Sequence, residues 1–410
     1  RISTHIMNIT MLGLGKLGLP VAECMATAHT VKGYDISTDI KSDVITICHS
    51  LWNACQDADI IFIAVPTPHD PEYGGETPTT HLPNKDFNYT ALHLVLQNIV
   101  EYAPATALIV NISTVLPGTL RPMIHKLNIQ DRFCYNPYLI AMGTVADDFR
   151  NPDIMMLGFD SWPTDQHESQ ANTLKKFYAT MQQSSPHITC GTWEEAECIK
   201  IFHNTYLSAK VSIANMIQDV TQRIGHANPS TIAESLRHAD RVVGHRYMEP
   251  GMGDGGPCHP RDNIALSWLA DKLNLGYDLF ADVMRIRERQ AELLADELIA
   301  HGLPITIMGR AFKPGVELTD GSPSLLVAHY CEAKGHTVQF DHIDHTEART
   351  YLLAHPQTPD EAQFVSGSVI VDMHRTYHPH RADITIKWYG VRDEDPASHN
   401  ARHHPKTNDA

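Results

Sequence analysis

Residues 7–37, MNITMLGLGKLGLPVAECMATAHTVKGYDIS, admit few folds. Residues 8–12 are a short apolar run that reads as a buried strand. Gly13-x-Gly15-x-x-Gly18 follows at once, then an apolar helical period, then a second strand closing on Asp35. A glycine triplet by itself says little. Set between strand and helix, with an acid ending the next strand, it is the dinucleotide-binding fingerprint. Gly13 makes the tight turn, and Gly15 lets the backbone approach a pyrophosphate at the positive helix end. Gly18 lets helix and strand pack closely. Lys16 and Leu17 sit inside the same loop and join the cofactor-binding set. Asp35 is placed to accept from the adenosine ribose hydroxyls, and its charge repels a 2′-phosphate, so NAD is expected over NADP.

The strand–helix alternation continues. ADIIFIAVPTP (58–68) and ATALIVNISTVLPGT (105–119) read as buried strands. In open parallel sheets ligands lie outside the carboxyl ends of strands. Pro66, Thr67, Ser113 and Thr114 are therefore cofactor-side candidates. DRFCYNPYLIAMG and DIMMLGFD read as further strands, and the proline-rich stretch 69–86 as a flexible surface excursion. From 192 to 225 the period turns helical, with Lys200 and Asn204 four apart on one face. A second long helical pattern ends near 302, and a second α/β unit starts at LPITIMGRAFKPGV.

The expected fold is α/β: two Rossmann-like doubly wound domains joined by a long helical central region. The boundaries read as 7–190 for the NAD-binding domain and 191–300 for the helical domain. The C-terminal nucleotide- and substrate-binding domain spans 301–390, and 391–410 reads as a disordered tail.

The formal charge of −16 argues against nucleic acid, because phosphate backbones want a basic face. No apolar run approaches the ~20 residues that span a bilayer, so no membrane role is expected. RISTHI reads as a remnant before a natural start at Met7. Eight scattered cysteines without paired spacing suit a reduced, cytoplasmic protein. The histidines at 374, 378 and 380 lack partners that would complete a site, so no metal is expected.

GMGDGGPCHPRD (251–262) sets Cys258 in a loop nearly bare of side chains. Taken alone, it suits a tight turn with an incidental cysteine as well as a reactive thiol. Likewise Lys200 suits a solvated helix face, Asn204 a helix surface, and Asp262 the cap of a following helix.

GLGKLGLP, VPTP, STVLPGT, KIFHNTYLSAK, GMGDGGPCHPRD and GRAFKPGV…SP, in that order, resemble the UDP-glucose/GDP-mannose dehydrogenase family from Met7 to about residue 385. The resemblance implies oxidation of a nucleotide sugar's primary alcohol to a carboxylate with two NAD, in a homodimer. It makes Cys258 the nucleophile and Lys200 and Asn204 the pair that steadies oxyanions and water. Asp262 becomes the acid that orients water or exchanges protons with Lys200, and Thr114 joins the catalytic set. It puts Tyr138, Leu139, Ile140, Lys200, Tyr247, Gly251, Gly255, Gly256, Phe312 and Lys313 on the substrate. Two other outcomes stay open: oxidation halting at the aldehyde, and a non-catalytic NAD-binding scaffold.

Four positions depart from the family, and the segment after Asp35 is shorter than usual. Its Pro-Glu motif with a second Glu beyond reads Pro137-Tyr138…Met142 here. A tyrosine between the loop glycines is Asp254, and an arginine before the Ser-Pro is Asp320.

Overall fold

The computed structural model describes residues 6–68, 70–71, 83, 85–141, 143–224, 227–240, 251–253, 255–256, 260, 267 and 270–390. They fall into two compact units that divide between Ala209 and Lys210.

The first unit holds eight strands: β1 (Asn8–Leu12), β2 (Thr30–Tyr34), β3 (Thr46–Ile47), β4 (Ile60–Ile63), β5 (Leu108–Asn111), β6 (Phe133–Tyr135), β7 (Ile154–Phe159) and β8 (His187–Thr192). They form one sheet in the order β3-β2-β1-β4-β5-β6-β7-β8. The first six strands run parallel in the Rossmann order, with the reversal between β1 and β4. β7 turns antiparallel to β6, and β8 runs parallel to β7.

Alternate residues of each strand face opposite sides. Ile9, Met11, Phe62, Val110 and Leu157 pack with α1 (Gly18–Met25), α5 (Val145–Arg150) and α6 (Asp165–Ala179). Leu12, Ile61, Ile63, Ile109 and Met156 pack with α2 (Leu51–Cys55), α3 (Thr90–Tyr102) and α4 (Leu120–Leu127). Trp193 and Ala196 join this second face from the start of α7 (Trp193–Ile224). Each fully buried Ile, Leu, Met or Phe here is worth roughly 1.5–3 kcal/mol, which suffices to order a three-layer unit.

The second unit contains α8 (Pro229–Arg237), α9 (Leu279–Ala300), β9 (Ile305–Met308), α10 (Pro323–Ala333), β10 (Val338–Phe340), β11 (Thr350–Leu353), β12 (Val369–Asp372) and β13 (Thr385–Trp388). Its sheet is wholly parallel in the order β10-β9-β11-β12-β13. Counted within the unit, that is the flavodoxin-like doubly wound order rather than the order of the first sheet. α9 and α10 cover one face, through Leu294, Leu298, Val327 and Cys331 on Ile305, Ile307, Leu352 and Val371. No helix of the described residues is long and apolar enough to cross a membrane. The tail from 391, and most of the stretch 69–86, lie outside the described residues.

Candidate active site

The glycine loop takes the form its spacing requires. Gly13 has φ +93°, a left-handed value, and a Cβ there would stand 2.5 Å from the carbonyl oxygen of Ala64. A Cβ on Gly18 would run into the Gly13 carbonyl, so this glycine lets α1 close on the sheet. Gly15 is different: it is exposed, and a Cβ added there meets nothing within 4 Å. That open space lies at the N-terminus of α1, beside exposed Lys16. It is the room a pyrophosphate needs.

Asp35 ends β2 with both carboxylate oxygens engaged. The Leu14 backbone N–H donates to Oδ2 at 2.7 Å and the Ser37 N–H to Oδ1 at 2.8 Å. The acid therefore braces the glycine loop, and each oxygen retains a lone pair for a ribose hydroxyl. The second unit repeats this arrangement: Gly309, φ +110°, ends β9 and donates its N–H to Asp341 Oδ1 at 2.6 Å.

The ends of β4 and β5 are stitched together. Thr67 Oγ1 donates to the Thr114 carbonyl at 2.6 Å, and Ser113 Oγ to the Val65 carbonyl at 2.7 Å. Both hydroxyls expected on the cofactor side thus fix the two loops that border it. Pro66 is exposed between them.

Lys200 lies on α7. Its Nζ donates to the Tyr138 carbonyl at 2.7 Å, in the turn that follows β6. β6 adjoins β5, so the amine meets the chain beyond the carboxyl end of the strand beside the one that leads to Ser113 and Thr114. Burial holds the Lys200 ammonium below the usual lysine range. Asn204, one turn on, is exposed.

The Tyr138 carbonyl meets Lys200, while its ring turns into the core. The hydroxyl shares a 2.8 Å hydrogen bond with Tyr178, which in turn donates to Asn136. Phe149 and Tyr178 stand edge-on to the ring. An aromatic ring gains too much from burial to occupy the polar position of a carboxylate. Leu139 and Ile140 likewise pack against the two faces of the core.

The loop glycines of the second unit are closely packed. A Cβ on Gly256 would meet the Phe312 ring at 2.9 Å, and one on Gly255 would meet the Gly321 carbonyl at 3.0 Å. Gly321, φ +60°, could not carry a Cβ without striking the Gly256 carbonyl. These glycines, with Phe312, serve loop-on-loop packing within the second unit. Lys313 lies over the Phe312 ring, 5.4 Å from its centre. Gly251 sits beside His374, whose Nε2 faces the Ala354 carbonyl. Cys258, Asp262, Tyr247, Met142 and Asp254 lie outside the described residues.

Sequence reading missed Glu197. It lies on α7 three residues before Lys200 and is fully buried. It accepts from the Gly118 N–H at 2.6 Å and the Leu120 N–H at 2.9 Å. The signal was available: Trp193, Ala196 and Glu197 share the buried stripe of the helix, where an acid is out of place.

The NAD binding domain model of the UDP-glucose/GDP-mannose dehydrogenase family matches residues 38–182, and the central domain model of the same family matches residues 194–289. Together they cover more than half of the chain. UDP-glucose 6-dehydrogenase of Rickettsia conorii is 25% identical over 355 residues, covering 78% of this chain and 77% of that protein. UDP-glucose 6-dehydrogenase YwqF of Bacillus subtilis is 24% identical over 406 residues, covering 89% of this chain and 87% of that protein. The structure of a GDP-mannose dehydrogenase from Pseudomonas aeruginosa superposes with a TM-score of 0.74 at 21% identity, over 93% of this chain and 99% of that one.

Proposed function

Because the chain belongs to the UDP-glucose/GDP-mannose dehydrogenase family, we propose that it oxidises the primary alcohol of a nucleotide-activated sugar to the carboxylate. It is an NAD-dependent oxidoreductase of the CH–OH class. The observation that carries the finer reading is the position of Lys200. A half-buried ammonium is held on the Tyr138 carbonyl, beyond the strand beside the one that leads to Ser113 and Thr114. The open cradle at Gly15, the α1 N-terminus and the braced Asp35 fit the dinucleotide.

NAD, when bound, would accept a hydride, so the two oxidations consume two NAD and release their protons to solvent. The residues of the chain do the rest. Lys200 donates to the substrate oxygen as negative charge develops there. The alcohol loses a hydride and a proton and becomes an aldehyde. The Cys258 thiolate adds to the aldehyde carbon, forming a C–S bond, and the oxygen takes a proton. Loss of a second hydride and that proton leaves a thioester on Cys258. Water then adds, the C–S bond breaks, and the thiolate leaves behind the carboxylate. Asn204 and Asp262 are the groups assigned to steady the oxyanion and orient that water.

Intact-protein mass spectrometry during turnover tests this sequence. A mass increment of one oxidised sugar nucleotide on Cys258 supports it. Fast acid formation with no adduct, and no effect of blocking the thiol, speaks against it. Thermal shifts with a panel of nucleotide sugars identify the substrate, since a ligand of the native state raises apparent stability.

A second reading rests on Tyr138. With its ring in the core, the turn lacks the carboxylate that the family resemblance implies there for thioester hydrolysis. In that case hydrolysis slows and the thioester on Cys258 accumulates; a product that stops at the aldehyde requires that Cys258 also fails to capture it.

Asp35 sets the cofactor preference. NAD is expected to bind more tightly than NADP, measured by titration calorimetry. Asp35→Ala weakens NAD, because the glycine loop loses its brace, and narrows the gap between the two. Tighter binding of NADP by the native protein would contradict this role.

A homodimer is proposed as well. α7 leaves Phe202 64%, Tyr206 43% and Ile213 48% exposed in the single chain, large apolar groups that a second copy would cover. Light scattering is expected to give twice the chain mass, and Phe202→Glu to shift the protein toward monomer. A native protein of single-chain mass would refute it.

A further inference from the structure

We infer that Glu197 is a positioning residue that locks the cofactor-side loop after β5 to the helix carrying Lys200. This rests only on the NAD-binding part of the function above and is independent of the sugar and of Cys258. Residues 113–119 leave β5, border the cofactor edge through Ser113 and Thr114, and run into α4. The first end of this loop is held by Ser113 and Thr67. Its far end has no such local fastening, for Thr119 at the N-cap of α4 makes no side-chain cap. The N–H groups at a helix start need acceptors. Glu197 supplies them from α7: Oε2 accepts from Gly118 and Oε1 from Leu120.

The carboxylate is fully buried, yet it reaches its partners across 77 and 79 residues of chain. A buried charge persists only where hydrogen bonds replace water. Both oxygens are committed to the two amides, and the positive end of α4 adds to the attraction. Tyr89 adds a lighter tie, accepting from the Leu116 N–H at 3.2 Å. Lys200 follows Glu197 by one helical turn. One buried side chain therefore ties the position of Lys200 to that of the Ser113–Thr114 loop.

The lock is sensitive to protonation. An ionised carboxylate offers acceptors to both amides, whereas a protonated one turns a hydroxyl hydrogen toward one of them. The charged and titratable groups around it are few. Glu194 repels it from α7, and Arg121 of α4 attracts it but is also bonded to Glu194 at 2.6 Å and Asp160 at 2.5 Å. Tyr135 of β6 and Cys198 of α7 feel its charge. Burial pushes the Glu197 carboxyl up to about 7, against the pull of the two amides. The loop is thus held firmly above neutral pH and loosened below it.

The test uses the full chain without sugar. NAD affinity is measured by calorimetry from pH 6 to 8.5 for the native protein and Glu197→Gln, with amide exchange of the Gly118 and Leu120 region in the cofactor-free protein. The native protein is expected to bind NAD several-fold more weakly at pH 6 than at pH 8.5. Glu197→Gln, which keeps the size but can accept at one oxygen only, is expected to bind about tenfold more weakly at pH 8.5. Its affinity should change little with pH, and exchange around Gly118 should be faster. If the glutamine variant does not fold, the pH dependence of exchange at Gly118 in the native protein decides the matter. Glu197→Gln with faster exchange but native NAD affinity and pH profile would make Glu197 a purely structural cap and overturn the inference. Absence of sugar oxidation alongside the expected NAD results would count against the substrate, not against this lock.

Discussion

Cys258→Ser is expected to bind NAD like the native protein and to form no carboxylate. Serine is close to cysteine in size, so the glycine-rich loop keeps its packing on Phe312 and Gly321. Its hydroxyl is a far weaker nucleophile near neutral pH than a thiol with thiolate character. The expected product is at most the aldehyde, or a hemiacetal that goes no further. An alkylating reagent should label Cys258 first among the cysteines. Cys55 and Cys331, by comparison, are buried thiols that burial pushes up to about 12 and about 11, away from reactive thiolate. Full acid production by the serine variant would reduce Cys258 to a turn residue.

Lys200→Ala is expected to keep NAD affinity within a few-fold and to lose ~10²–10³ in turnover, the usual loss for one donor aimed at developing charge. The proposed work of Lys200 is done by the protonated amine. Because burial lowers its affinity for the proton, activity should fall as pH rises through a value below the ordinary lysine range. Lys200→Arg, permanently charged, should lose that alkaline limb even if its turnover is poor. Near-native turnover in the alanine variant would remove Lys200 from the site.

The first unit was the more legible part of the chain. The glycine fingerprint specifies a strand, a turn and a helix at set distances, and Gly13 and Gly18 stand where a Cβ would clash. β11, the middle of the second sheet, passed unread. Its four residues, Thr350–Leu353, form an apolar run too short to separate strand from helix by period, with a charged arginine before it. Only the parallel pairing with β9 and β12 makes it a strand. The buried Arg349 is explained the same way: its Nε donates to Thr306 at 2.9 Å, and its Nη1 pairs with Glu347 at 2.6 Å.

In the site, spacing placed Lys200 correctly on its helix but could not say what receives its proton. At Tyr138 the contact is made by the backbone carbonyl, which side-chain identity does not report. The helical stripe marks Glu197 as an acid out of place, but its partners are backbone amides far away in the chain, which no local pattern records.

The most direct measurement is the yield of NADH per nucleotide sugar consumed, followed by absorbance to completion with the sugar limiting and the acid product quantified by mass. Two NADH and one carboxylate per sugar are expected. No NADH with any nucleotide sugar that raises the thermal stability of the protein would contradict the proposed function.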